Sequence, residues 1–439
     1  MAKNPSMIRK LIIFTSSLTI LLFLSITISS VVFRNKLLGE KYFGKLITNT
    51  FYSIAEPLSY FRKLRVSNDN YYDKTEKDFL AYDSINNYPN FLISYRDGTS
   101  NYIEIIDPNK EKINKKWVFN LEELRELSYN KENYKNSKGG LNRIKHPLLN
   151  LIDSTLVFHN GKAVFKYKKN RELIWVNNEF VAHHAINSDS EGNIYSCGRR
   201  FNSEGYDFLP NYEFYGSVLQ DDKIFKLDKD SGKILFEKSI INILIENGYF
   251  DLLIDDGEFS FDPIHLNDIT VAQSDSECWN KDDLLISSRT ENIIFLYRPT
   301  TNQIIWLKKG PWLNQHDPDF LDGCFVSVFG NDVLDPYKNF NDERIPFEER
   351  HFINKNNQLY IVNIKNDSVT TPYNDLFVKA KIKTPTAGQA TIFNDSLIFI
   401  ESTDESKIIM GNKNEVKLEF TKHKNKDRIY FLSWSRLIL

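Results

Sequence analysis

Eight histidines occur in the 439-residue chain, and four of them recur in one kind of place. His183 and His184 sit in Phe180-Val-Ala-His-His-Ala-Ile-Asn, His265 in Pro263-Ile-His-Leu-Asn-Asp-Ile, and His316 in Leu313-Asn-Gln-His-Asp-Pro. Each precedes a turn rich in Asp, Asn or Gly and then a new apolar strand. Imidazole serves as a nucleophile or as a general acid/base near neutral pH. Three histidines alone would suggest zinc, but Arg289, just after Leu285-Ile-Ser-Ser, repels a cation, and no metal site is expected. The guanidinium fork instead matches the oxygens of sulfate or phosphate. With Asn267 as an amide donor, the set suits sulfuryl or phosphoryl transfer. Taken singly, Asn267 reads as a turn cap and Arg289 as half of an ion pair; their shared placement with the histidines argues for a site. His146, His159, His351 and His423 read as surface or satisfied core residues. Consecutive side chains of a strand point to opposite faces, so one of His183 and His184 is expected to line the site. The sequence contains no phosphate-binding glycine loop, GxGxxG or GxSxG motif.

The elements that must position these residues form a repeat. An apolar strand, a short turn, a second strand, a polar turn and a third strand recur from about residue 90 onward. The third strands end near Trp117, Trp175, Phe236, Trp306, Val369 and Phe420, at intervals of 51 to 70 residues. Six such units predict an all-β fold, a six-bladed β-propeller preceded by an N-terminal transmembrane helix. A lone four-stranded sheet leaves a face exposed, so blades pack radially around a channel, and the two ends of the repeat region should meet. A jelly roll or a β-helix is the alternative. Residues Ile241 to Glu258 read as a helical insertion. The recurrent histidines then fall on innermost strands of three different blades, facing the channel.

The uncharged run from Leu11 to Phe33 is long enough to span a bilayer. The organisation read from the sequence is a cytoplasmic tail (1–10), a transmembrane anchor (11–33), a stalk (34–84) and the propeller domain (85–439). Lys3, Arg9 and Lys10 precede the run, and Arg34, Lys36, Lys41 and Lys45 follow it, so flanking charge does not set its orientation. A cleaved signal peptide is the competing reading. With 56 basic and 58 acidic residues, the chain carries no electrostatic footprint for nucleic acid. The three cysteines, without a C-x-x-C pair, read as reduced buried thiols, the alternative being a Cys278–Cys324 bridge.

Several segments resemble the arylsulfotransferase family: His183 to Asn193, His265-Leu-Asn-Asp-Ile, Asp283-Leu-Leu-Ile-Ser-Ser-Arg, Gln303-Ile-Ile-Trp, Gly310, Gln315-His-Asp, Phe329-Gly-Asn, and Gly388-Gln-Ala-Thr-Ile-Phe-Asn-Asp-Ser-Leu. The resemblance runs from about residue 85 to the C-terminus. It implies a six-bladed propeller that moves a sulfuryl group from an aryl sulfate donor to a phenolic acceptor, without the nucleotide donor PAPS or any cofactor. By that resemblance His316 is the nucleophile that becomes sulfated. His265, Asn267 and Arg289 hold the sulfuryl oxygens, His184 or His183 is a further channel histidine, and Thr386 is a candidate substrate contact. The resemblance also implies a membrane-held catalytic domain that is periplasmic or extracellular. Two other functions fit the same residues: a propeller that binds a sulfated or acidic ligand without turnover, and a hydrolase releasing sulfate to water.

Overall fold

The computed structural model describes residues 78–81, 87–130, 143–200, 206, 219–255, 258–334, 350–394, 397–425 and 428–438. The expected anchor and nearly all of the stalk lie outside them. Among the described residues no helix is long and apolar enough to cross a membrane.

Among the described residues six antiparallel sheets of four or five strands follow one another along the chain, with three two-stranded ribbons beside them. The second blade is Lys145–Asn150, Thr155–His159, Val164–Lys168 and Leu173–Asn177; the third is Val181–Ser188, Ile194–Arg199, Asp222–Leu227 and Ile234–Ser239. The fourth is Leu266–Val271, Leu284–Ser288, Ile293–Arg298 and Gln303–Lys309; the fifth is His316–Phe320, Phe325–Gly330, Gln358–Asn363 and Val369–Thr370. The sixth is Gln389–Asn394, Leu397–Ser402, Lys407–Gly411 and Val416–Thr421. The first blade takes Asn90–Asp97, Ser100–Asp107 and Lys112–Asn120 from the start of the ring and its innermost strand, Arg436–Ile438, from the C-terminus. Phe79–Ala81 adds a fifth strand to the outer edge of the sixth blade, with Phe79 opposite Phe420. Both ends of the described chain thus close the ring, and closure removes free inner edges.

The apolar pattern explains this packing. Alternate residues of a strand face opposite ways, and here each face meets a different neighbouring blade. Leu284 and Ile286 pack toward the third blade, while Leu285 between them packs toward the fifth. The buried side chains accordingly form six clusters, one at each blade–blade interface. This is why the middle strands read as continuous apolar runs. The tryptophans on the outer strands add a directional tie: the indole N–H of Trp117 donates to Lys169 O at 2.8 Å, Trp175 to Lys229 O at 3.1 Å, and Trp306 to Asp367 Oδ1 at 2.7 Å, each in a turn of the next blade.

Two expectations need correction. The insertion after the third blade is a short helix, Ile240–Glu246, followed by a 3-10 turn, Phe250–Leu253. Gly248, at φ +82°, ends the helical path between them. Cys278 and Cys324 form a disulfide, and only Cys197 is a free buried thiol. Both bridged residues lie in turns that follow the innermost strands of the fourth and fifth blades. Ring packing brings these turns together across 46 residues of sequence, to a Cα–Cα distance of 5.3 Å.

Candidate active site

A cavity of about 730 Å³ opens at the end of the channel where the innermost strands begin. The strand entries share one backbone device. Trp434, His146, His184, His265, Asp317 and Ala387, one in each successive blade, have φ between +48° and +62°. Non-glycine residues rarely adopt this left-handed conformation, and such strain concentrates at functional sites. In four blades the strand pairing also shifts register at this point. The bulge cancels the usual alternation, so neighbouring side chains both reach the cavity. Lys145 with His146 and His183 with His184 line it in this way, while Thr386 with Ala387 and Ser433 with Trp434 line it from the segments that precede the innermost strands of the sixth and first blades. The expectation that one of His183 and His184 would face inward therefore fails, because strand geometry is interrupted between them.

The expected histidines converge. The ring centroid of His184 lies 5.3 Å from that of His265 and 6.3 Å from that of His316. Arg289 lines the same cavity, and its backbone N–H donates to His265 O at 3.1 Å. Thr386 lines it too, its hydroxyl held by Asp404 at 2.8 Å. Asn267 does not reach the cavity. It is fully buried in the bulge of its strand, and its amide donates to Gln315 O at 2.6 Å. It therefore secures the backbone one residue before His316.

His316 is 3% exposed, and its Nδ1 donates to Asn331 Oδ1 at 2.7 Å and to Asn314 O at 3.0 Å. Asn331 gives both of its own protons to Thr384 O (2.8 Å) and Ala387 O (2.7 Å), so its oxygen must face the imidazole. The proton of neutral His316 is thus on Nδ1, and Nε2 presents its lone pair to the cavity. Burial, reinforced by the positive charge of Arg289, pushes the His316 pKa down to about 3, so the ring is neutral near pH 7. Burial likewise lowers the pKa of His183 and, more strongly, of His184.

His265 is built differently. Its Nδ1 bonds Asp262 Oδ2 at 2.7 Å, which leaves Nε2 as the ring nitrogen for proton exchange. His183 bonds through Nε2 to Asp222 Oδ1 at 3.0 Å, and Arg199 also pairs with that carboxylate. Burial alone would raise the pKa of Asp222, but these two partners hold it well below the usual carboxylate range.

Sequence reasoning missed Asn331 and Asp262, and it read His146 as an ordinary residue, whereas His146 stacks on Trp434 at 4.3 Å in the cavity wall. Arg143, Lys145 and Arg350 also line the cavity without having been singled out. Asn331 had one signal, its place in Phe329-Gly-Asn; Asp262 and the basic residues had none. His159 is a satisfied core residue. It accepts from Gly161 N at 3.0 Å and bonds His184 O at 2.8 Å. His351 is exposed, and His423 pairs with Asp78 at 3.0 Å. Among the described residues no group of His, Cys, Asp or Glu is arranged to hold a metal ion.

Fold and site together define a six-bladed propeller with a histidine- and arginine-lined channel mouth. The model of the arylsulfotransferase (ASST) family matches residues 159–424, more than half of the sequence, and the chain belongs to that family. No curated protein matches the sequence. Among solved structures the chain is similar to a protein of unknown function from Bacteroides caccae, at 12% identity over 78% of this chain and 97% of that one, with a TM-score of 0.45. It is also similar to a streptogramin B lyase (12% identity, 82% and 97% covered, TM-score 0.39) and to the Neurospora crassa Pan2 WD40 domain (10%, 80% and 86%, 0.40). Likenesses this distant say nothing about the chemistry of the site.

Proposed function

We propose that this protein transfers a sulfuryl group from an aryl sulfate ester to a phenol through a sulfohistidine at His316. The observation that carries the reading is the locked imidazole: Nδ1–H is tied to Asn331, and Nε2 is the free nucleophilic atom beside Arg289. The Nε2 lone pair attacks sulfur, an N–S bond forms, and the S–O bond to the aryl group breaks. Charge on the sulfuryl oxygens is met by the guanidinium of Arg289 and the neighbouring His184. His265, oriented by Asp262, gives a proton from Nε2 to the departing phenolate, whose pKa near 10 makes that help useful. The acceptor phenol then returns a proton to His265 as its oxygen attacks sulfur and the N–S bond breaks. Donor and acceptor exchange one proton and one sulfuryl group, and His316 is regenerated.

The test is mass spectrometry of protein quenched after mixing with aryl sulfate alone. The expected result is one added sulfuryl group on the peptide carrying His316, absent in His316→Ala. Turnover by protein that never carries the modification would remove the covalent step, and binding without turnover would leave a ligand-binding propeller.

Residues 11–33 act in this reading as an uncleaved anchor, with the propeller outside the cytoplasm. The uncharged run and the Cys278–Cys324 disulfide favour that placement, because disulfides persist in oxidising compartments. Protease treatment of intact cells or spheroplasts should remove the propeller; full protection would refute the placement.

A further inference from the structure

The wall facing His316 across the ring carries charge that the sulfuryl chemistry does not use. His316 opens the innermost strand of the fifth blade, and Lys145 opens that of the second, three blades away in a ring of six. Arg143 and Lys145 both line the cavity, and neither forms an ion pair with a described carboxylate. Arg143 lies over the ring of Phe431 at 4.1 Å. Asp404 and Glu401 favour the charge on Arg143 through space, but burial and the charge of Arg96 outweigh them, and neither forms an ion pair with it: Asp404 accepts from Thr384 and Thr386, and Glu401 from Thr403 and the backbone of Trp434. Beside them, Nδ1 of His146, a residue only 6% exposed, has no partner among the described residues. Burial and Arg143 together push the Lys145 pKa down to about 8. Cations set into a protein wall without a direct ion pair are costly, and a bound anion offsets that cost. Between the two poles Trp434, stacked on His146, and Phe431 offer flat apolar surface for an aromatic ring. Residues 143–146 and 431–434 lie outside the 159–424 match, so the family assignment does not carry them.

We propose that Arg143 and Lys145 bind a second anionic group, a carboxylate or a phosphate or sulfate ester, fixed on the aromatic substrate away from its reacting oxygen. The physiological phenol, as acceptor or as donor ester, is then an anionic one. This rests on the sulfuryl-transfer reading for the identity of the reacting end, but binding tests it separately. The probes are 4-hydroxyphenylacetate and its neutral isostere 4-hydroxyphenylacetamide, compared by calorimetry on the full chain. Wild type should prefer the carboxylate by about 10-fold or more, the size of one charge-assisted hydrogen bond. Lys145→Gln and Arg143→Gln, each checked for an unchanged thermal transition, should abolish most of that preference. His316→Ala should keep it. The same pair as acceptors on sulfated protein, and their sulfate esters as donors, tell which half-reaction uses the wall. Equal affinity for the two probes in wild type, or equal losses for both in the variants, overturns the inference. A retained preference without any sulfuryl transfer would instead sink the proposed function and leave the anion site standing.

Discussion

The Nδ1 proton of His316 is held by Oδ1 of Asn331 at 2.7 Å, and Asn331 cannot turn, because both of its amide protons are spent on Thr384 O and Ala387 O. The reversed amide would set its oxygen against two carbonyls and its NH2 against the Nδ1 proton. Asn331 therefore chooses the tautomer and aim of the His316 imidazole, the proposed nucleophile. Asn331→Ala should lower kcat for donor cleavage by about 10²-fold, the typical cost of a misaimed reacting group, with KM little changed. A variant in which KM rises and kcat holds would show that Asn331 shapes binding instead.

The low pKa of His316 predicts a flat acid limb. A free imidazole loses its nucleophilic form below about pH 6.5, whereas His316 stays neutral until its own pKa, about 3. With 4-nitrophenyl sulfate, whose leaving group needs little protonation, the burst of nitrophenolate should be constant from about pH 8 to about pH 5. An apparent pKa near 6.5 in that burst would show that the ring is not held neutral by burial.

The His265–Asp262 pair predicts a leaving-group effect. Asp262→Asn should slow release of weakly acidic phenols by about 10²-fold, the usual contribution of a general acid, and that of 4-nitrophenol far less. Equal slowing of both would assign Asp262 to orienting the donor and not to proton transfer.

Arg289→Ala should reduce the rate of His316 sulfation by about 10² or more, as losing an oxyanion donor does. Single-turnover kinetics at saturating donor separate this from weaker binding. An unchanged single-turnover rate would remove Arg289 from the transition state.

The disulfide lies at the mouth opposite the histidines. Closing a 46-residue separation is worth about 4 kcal/mol in the chain-entropy model and typically 2–4 kcal/mol in practice. Cys324→Ser should lower the urea midpoint by a corresponding amount while donor cleavage at 25 °C continues. Loss of activity with unchanged stability would contradict this purely structural role.

The sequence alone determined the blades and several of the side chains that line the cavity. Strand alternation and recurrent outer tryptophans are local properties, visible because each blade must bury both faces of its middle strands against its neighbours. His316, His265 and His184 were legible as cavity residues because each recurs at the entry to an innermost strand, and Arg289 because it directly follows the neighbouring second strand. Only the tertiary structure decided that His183 and His184 both face the cavity, since a left-handed bulge overrides the alternation on which the expectation rested. It also decided that Asn267 supports Gln315 and does not touch the cavity, and that Cys278 meets Cys324. Ring closure did the rest. By bringing the C-terminal strand back to the first blade it set Trp434 against His146 and placed Arg143 and Lys145 across from His316. These contacts join segments far apart in the chain, and no local period or motif records which distant segment a blade will face.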